Sequence, residues 1–167
     1  FVVWEAEAYD RNLDGLWVED FESNADRGEP SGGVGMLIPN GAGGNESNTK
    51  LEYDIVFTRT GTHILWYRAS ADSGNDDSIW FHLDGDRPST RVDGNLASMS
   101  GFNGNPYEWN SNPQDGAPPM TFEIDEVGLH TISVARREDG AFVDKFIITV
   151  DPNFNPDDFG PFGPDAT

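Results

Sequence analysis

The chain has 167 residues, of which 30 are acidic and 10 basic, so its formal net charge is −20 at pH 7. Such a charge repels nucleic acid and anionic membranes, and we expect neither as a partner. The absence of cysteine excludes a disulfide scaffold and any thiolate metal site or nucleophile, while 36% hydrophobic residues suffice for one domain with a real core.

Hydrophobic side chains recur at every second position along most of the chain, as they do in β-strands. Turn residues separate these stretches, and no amphipathic helix is convincing. The pattern predicts about eight strands: the opening FVVWEAEAYD, then VGMLI, KLEYDIVF, THILWYRA, SIWFHLD, MTFEI, LHTISVAR and FVDKFIITV. We therefore expect an all-β fold, an antiparallel β-sandwich of the jelly-roll, galactose-binding-like kind.

The predicted sandwich covers residues 1–150, and the remainder differs in composition. Residues 151–167, DPNFNPDDFGPFGPDAT, are rich in Pro, Gly and Asp and are typical of an interdomain linker or a surface strap. Three predicted connections, 10–32, 39–49 and 85–119, are long, and connections of that length tend to be functional or disordered.

The two terminal strands place carboxylates on faces that should be at least half-buried. Glu5 and Glu7 alternate with apolar residues, and FVDKFIITV puts Asp144 with Phe142 and Phe146 on the inner face while Lys145 points outward. If these strands are neighbours, the three carboxylates converge, and Ca²⁺, which takes six to eight oxygen ligands, would relieve their repulsion. Backbone carbonyls of EPSGGVG could complete the shell. The alternative is an edge strand with solvated glutamates and an Asp144 satisfied by loop amides.

A second calcium site is a separate hypothesis. DRNLDGLWVEDFE, residues 10–22, nearly fits an EF-hand loop, but Phe21 stands where the bidentate Glu belongs. An ordinary Asp/Asn-Gly turn is the alternative.

In chain order the sequence carries EAE, SGGVGM, GTHILWYRAS, FHLDG, a loop tryptophan, VGLHTISV and FVDKFIIT. This succession resembles family 6 carbohydrate-binding modules and the related family 35. The resemblance implies a β-sandwich jelly roll with a structural calcium held by Glu5, Glu7 and Asp144. Two departures stand out: Phe142 replaces an Asn that family members often carry, and the insert PNGAGGNESNTK replaces a second aromatic residue.

A sugar site needs a flat apolar surface with hydrogen-bonding groups beside it. Trp109, with Tyr107 two residues earlier, lies in the long connection where family 6 modules carry a stacking aromatic, although it could instead fold back over its own loop. Asn75 and Asp77, with Arg137 and Asp139 from another loop, could converge with Trp109 on one rim; ordinary turn chemistry is the alternative for these residues.

The resemblance predicts noncatalytic binding of a polysaccharide, with a covalently attached catalytic domain and a secreted or extracellular location. The charge favours neutral or lightly charged polymers, such as agarose-type galactans, β-glucans or xylans, and the acidity is similar to that of modules from marine polysaccharide-degrading bacteria. Two alternatives stay open. One is a small glycoside hydrolase or lyase domain with paired carboxylates, and the other is a calcium-stabilised adhesion domain.

Overall fold

The computed structural model describes residues 1–21, 27–43, 46–85, 98–99, 104–112 and 118–166. Within these ranges the chain forms twelve strands and two short 3₁₀ turns but no α-helix, which confirms the predicted all-β class. None of the described segments forms a helix with the length and apolar character that crossing a bilayer requires.

The twelve strands of the described ranges are numbered in chain order. They are β1 (Val2–Glu5), β2 (Arg11–Leu13), β3 (Val18–Asp20), β4 (Gly35–Leu37), β5 (Glu46–Phe57), β6 (Gly61–Ala71), β7 (Ile79–Leu83), β8 (Ser98–Met99), β9 (Gly104–Asn110), β10 (Thr121–Ile124), β11 (Gly128–Arg136) and β12 (Ala141–Thr149). The 3₁₀ turns are Ser31–Gly33 and Pro156–Phe159.

Two antiparallel sheets pack face to face. The seven-stranded sheet has the order β10-β6-β12-β4-β3, with β1 added on β12 and β9 on β6; the five-stranded sheet has the order β2-β5-β11-β7-β8. The terminal strands are neighbours as predicted, since β1 pairs with β12 from Val2 opposite Ile148 to Glu5 opposite Lys145. This pairing brings the two ends of the sandwich sequence together.

The core lies between the sheets and is rich in aromatic side chains. Trp4 contacts Tyr53 and Phe146 with ring centroids 5.8 and 5.5 Å apart. Such pairs add about 0.5–1.5 kcal/mol to the gain from burial itself. The hydroxyl of Tyr53 donates a 2.7 Å hydrogen bond to the Ala6 carbonyl, so burial leaves this polar group satisfied.

The three long connections contain strands that the sequence pattern does not predict. β2 and β3 lie within 10–32, β9 lies within 85–119, and β5 begins at Glu46, inside 39–49. Three-residue strands are too short to show an alternating pattern, and β9 contains Gly104 and Pro106, which are unfavourable in strands. The described parts of these connections, 10–21, 46–49, 98–99 and 104–112, therefore contain more regular structure than their composition indicates.

Residues 151–166, the C-terminal strap, fold back onto the sandwich. Phe1 contacts Phe154 and Phe159 with ring centroids 5.0 and 5.9 Å apart, and Pro164 is buried. Asn155 caps the second 3₁₀ turn by accepting the Asp157 N–H through its side chain. The strap thus adopts a defined path alongside the N-terminus.

Candidate functional site

Asp144 occupies a β-bulge in the last strand. The register of β12 against β6 shifts between Val143 and Lys145, and Val143 packs in the core together with Phe146. The bulge therefore changes the faces: Phe142 lies outside the main core cluster, under the guanidinium of Arg27 at 3.4 Å. The predictions that Phe142 shares the inner face and that Lys145 points to solvent are wrong, since Lys145 is 2% exposed.

The Asp144 carboxylate is fully buried and forms an ion pair with one buried basic group, Arg68. Oδ1 accepts the Ser31 N–H at 2.7 Å, and Oδ2 accepts Arg68 Nη1 at 2.5 Å. Glu5 Oε1 lies 2.9 Å from Lys145 Nζ and also accepts the Ser31 hydroxyl. The carboxylates of both chain ends do converge on the turn at Ser31, but two cations of the chain itself are among them.

Glu7 lies beside the same turn and carries an unfavourable charge. Burial raises the pKa of Glu7 to about 7, and the charges of Glu5 and Asp144 add to the shift. Burial likewise raises the pKa of Asp144 to about 6, against the opposing effect of Arg68. The crowding of negative charge inferred from the sequence is therefore present. The side chains of Arg68 and Lys145 relieve it only in part.

The donor chemistry of this cluster fits a hard cation, although the predicted three-carboxylate arrangement is not formed. Glu5 Oε2 and Glu7 Oε2 are buried without a hydrogen-bond partner, which is the state that an added cation would correct. Within the described ranges, however, no three acidic or histidine side chains are placed to share one ion. Glu5 and Glu7 are the residues with oxygens to offer, while both oxygens of Asp144 accept hydrogen bonds from the chain itself.

The predicted polar ligand residues gather at one end of the sandwich, which we call the loop end (residues 39–43, 72–78 and 137–140). The two main turns contact each other there, because Asp72 N–H donates to the Gly140 carbonyl at 3.2 Å. Asp139 accepts the N–H groups of Gly41 and Gly43, and Arg137 donates to Ser78 and contacts Glu138. Asn75 is exposed and Asp77 partly buried in the first turn.

Trp109 and Tyr107 lie on β9, which pairs with the last residues of β6. Trp109 pairs with Arg68, whose neighbours in β6, Tyr67 and Ala69, belong to the core cluster. Arg68 and Trp109 therefore lie on the outer side of the seven-stranded sheet. Tyr107 is 5% exposed and offers no stacking surface. Trp109 is partly exposed, and a Cβ placed on Gly163 would come within 2.6 Å of its ring, so the C-terminal strap passes directly against the indole.

The strap and β9 enclose a cleft of about 470 Å³ that sequence reasoning missed. Its lining is Arg68, Pro106, Tyr107, Glu108, Trp109, Asp157 and Pro161. The aromatic residues spaced along the strap, Phe154, Phe159 and Phe162, were a usable signal for packing, since a solvated linker seldom carries them.

The possible second calcium site at residues 10–22 has the geometry of a turn over its described part. Asp14 and Gly15 both adopt positive φ, of 67° and 63°, as in a tight turn. Asp10 accepts the backbone N–H of Asp54 at 2.7 Å, and Asn12 donates to the Trp17 carbonyl. These polar groups are engaged in local structure.

Comparison with known proteins gives a family and a fold. The protein-family model described as the glycosyl hydrolase family 115 C-terminal domain matches residues 1–161. The uncharacterized protein P23 of Formosa agariphila is 28% identical over 118 residues, which make up 66% of this chain and 27% of that protein. The chain therefore spans only about a quarter of the length of this relative.

Solved carbohydrate-binding modules share the fold, as the resemblance predicted. A family 35 module from Clostridium thermocellum superposes with a TM-score of 0.58 at 20% identity, covering 89% of this chain and 98% of its own. The C-terminal family 6 module of LamC, a marine laminarinase from Zobellia galactanivorans, superposes with a TM-score of 0.55 at 15% identity, covering 89% of this chain and 98% of its own. A family 36 module in complex with calcium and xylotriose superposes with a TM-score of 0.52 at 16% identity, covering 89% of this chain and 100% of its own.

Proposed function

Because the chain belongs to the family of glycosyl hydrolase family 115 C-terminal domains, we propose that it is a noncatalytic carbohydrate-binding domain attached to a glycoside hydrolase. The family match over residues 1–161 is the observation that carries this proposal, and the likeness of the fold to carbohydrate-binding modules supports it. A tethered binding domain raises the local concentration of the enzyme on its substrate without new contacts at the active site.

The ligand in this proposal is a neutral or lightly charged polysaccharide, with agarose-type galactans, β-glucans and xylans as candidates. The net charge of −20 supports this choice because a polyanion would be repelled at low salt. The same proposal has the domain act outside the cell, where such polymers are met.

Affinity electrophoresis in gels containing agarose, laminarin or xylan tests the proposal. We expect at least one polymer to retard the domain while incubation with that polymer releases no soluble sugar. Retardation with sugar release would instead identify a small hydrolase or lyase, and migration unaffected by every polymer would contradict carbohydrate binding and favour an adhesion role.

We further propose a structural Ca²⁺ beside the turn at Ser31, with Glu5 and Glu7 as its side-chain ligands. Asp144 lies next to this site and keeps its hydrogen bonds with Ser31 and Arg68. The unpartnered oxygens of Glu5 and Glu7 support this site, as does the calcium complex of the family 36 neighbour. A cation that binds only the folded state at about 100 times its Kd adds about 2.7 kcal/mol of stability. For a domain of this size, that corresponds to a Tm higher by roughly 5–10 °C.

Thermal unfolding with CaCl₂ and with EDTA measures this effect. Glu7→Gln removes one ligand charge and should abolish the response to calcium, whereas Glu126→Gln, an exposed carboxylate elsewhere, should keep it. A wild-type Tm that EDTA leaves unchanged after exhaustive dialysis would contradict a structural calcium, and Arg68 and Lys145 would then balance the cluster without a bound metal ion.

A further inference from the structure

We propose that the saccharide binds in the cleft between β9 and the C-terminal strap, so that the strap forms one wall of the ligand site. This inference rests on the proposed function and deepens it. The cleft volume of about 470 Å³ lies within the range of roughly 300–1,000 Å³ that is usual for small-ligand sites.

The cleft combines the two chemistries that sugar recognition needs. Trp109 offers a partly exposed indole for the apolar C–H face of a pyranose ring. Glu108, from β9, and Asp157, from the strap, are exposed carboxylates whose side-chain oxygens form no ion pair and accept no hydrogen bond within the described part of the chain. An ionised carboxylate can accept two hydroxyl protons in strong hydrogen bonds.

The same carboxylates define the ligand class. The cationic member of the lining, Arg68, already donates to Asp144, and its guanidinium lies 4.9 and 5.1 Å from the ring centroids of Tyr107 and Phe162. The charge of Arg68 is therefore already paired with Asp144 and is not available to bind an acidic sugar. Glu108 and Asp157 would repel such a sugar. The cleft favours a neutral saccharide.

The loop end is less suited to a ligand because its polar groups satisfy one another. Asp139 accepts two backbone N–H groups, Asp72 accepts from Asn40 at 2.5 Å, and Asp76 accepts from Ser73 at 2.6 Å. A sugar binding there would have to break these hydrogen bonds, whereas the cleft carboxylates have none to lose.

The wall formed by the strap is fixed before any ligand arrives. The side chain of Asn155 holds the backbone at Asp157, and Gly163 lies against Trp109 with no room for a side chain. Pro156 and Pro164 are buried on either side of this stretch. A site preorganised in this way loses little conformational entropy when it binds.

Two adjacent exposed carboxylates give a matched test. Asp157 lines the cleft and Asp158 does not, yet both lie in the same 3₁₀ turn and carry the same charge. Affinity electrophoresis on the polymer that best retards the wild type, among agarose, laminarin and xylan, should show binding about tenfold weaker for Asp157→Ala. Asp158→Ala and Asn75→Ala should bind like the wild type.

The outcomes separate this inference from the proposed function. If the wild type is retarded and Asp157→Ala and Asp158→Ala bind equally well, the cleft is not the site and the proposed function stands. Loss of binding in Asn75→Ala alone would place the site at the loop end and overturn the inference. If no polymer retards the wild type, both the proposed function and the cleft site are refuted.

Discussion

At the scale of single residues, the buried charges around Asp144 differ in kind from the surface ion pairs. Arg68 and Asp144 are almost completely buried, whereas Arg11, which bridges Glu52 and Asp54, has a side chain 42% exposed. When one member of a buried ion pair is removed, the remaining charge stays uncompensated in a poorly solvated site. When one member of an exposed pair is removed, water solvates the remaining charge. The two arginines therefore allow a direct comparison.

We expect Arg68→Met to lower the free energy of unfolding by about 3–5 kcal/mol, because Asp144 is left without its cation. Arg11→Met should cost no more than about 1 kcal/mol. Urea unfolding followed by far-UV circular dichroism measures both. If Arg68→Met lowers the free energy of unfolding as little as Arg11→Met does, Asp144 must find another partner when Arg68 is removed.

His130 gives a pH-dependent contribution whose sign follows from its contacts. Its Nδ1 lies 2.7 Å from Asp84, its Nε2 is 2.8 Å from the Glu126 carbonyl, and the hydrogen bond with Asp84 is the main cause of a raised pKa. Because the folded state holds the proton more tightly, this stabilisation is full below the unfolded pKa and is lost as the pH rises through the folded value.

We expect Asp84→Asn to lower the pKa of His130 and to remove this pH dependence. Asn tolerates the positive φ of 52° at this position, so the backbone should be kept. An NMR titration of the imidazole protons and unfolding curves across the range of histidine titration measure the two effects. Asp125→Asn removes a nearby exposed charge as a control, and an equal shift in that variant would mean that general charge, not the contact, sets the pKa.

Sequence reasoning found the residues of the carboxylate cluster but not their arrangement. Alternation put Glu5, Glu7 and Asp144 on faces that must be buried, and the pairing of β1 with β12 brought them together. Strict alternation could not anticipate the bulge at Asp144, which buries Lys145 and removes Phe142 from the main core. A bulge changes the face of every residue beyond it, and no local sequence signal announces it here.

At the scale of elements, the C-terminal strap shows what composition leaves open, since it is compatible with a linker or with a surface strap. Its Pro and Gly content resembles a linker, yet rings from Phe154 and Phe159 stack at 5.6 Å and Phe162 lies near Arg68. Long-range packing of this kind depends on what the rest of the sheet leaves exposed, and a local pattern carries no information about that. The same holds for β9, whose pairing with β6 creates the other wall of the cleft.

Two glycines of the strap separate backbone strain from close packing. Gly163 and Gly160 both have positive φ, of 66° and 97°, but only at Gly163 would a Cβ meet another residue, at 2.6 Å from Trp109. An Ala substitution at either position should cost about 1–3 kcal/mol in backbone strain. Gly163→Ala should cost more, since the strap must also move away from the indole.

Tryptophan fluorescence and urea unfolding test this prediction. We expect a red-shifted emission and easier quenching by iodide for Gly163→Ala, as the partly exposed Trp109 becomes more accessible, and wild-type emission for Gly160→Ala. Identical spectra and stabilities for the two variants would show that the strap does not pack against Trp109 in solution.

At the scale of the whole molecule, the charge of −20 opposes folding because the compact state holds 30 acidic groups closer together than the unfolded chain does. Salt should therefore stabilise the domain. Raising NaCl from about 0.01 M to about 0.1 M shortens the Debye length from about 30 Å to about 10 Å, which is the range over which most of the surface charges interact. We expect the Tm in EDTA to rise over this interval and to level off at higher salt, whereas an effect of salt on hydrophobic burial would keep growing with concentration.

Calcium should act locally, because in the proposed site it binds beside Glu5 and Glu7 and neutralises their charge. The rise in Tm caused by CaCl₂ should therefore exceed the rise caused by NaCl at equal ionic strength. If NaCl alone reproduced the whole effect of CaCl₂, diffuse screening would account for both, and the cluster at Ser31 would need no bound ion.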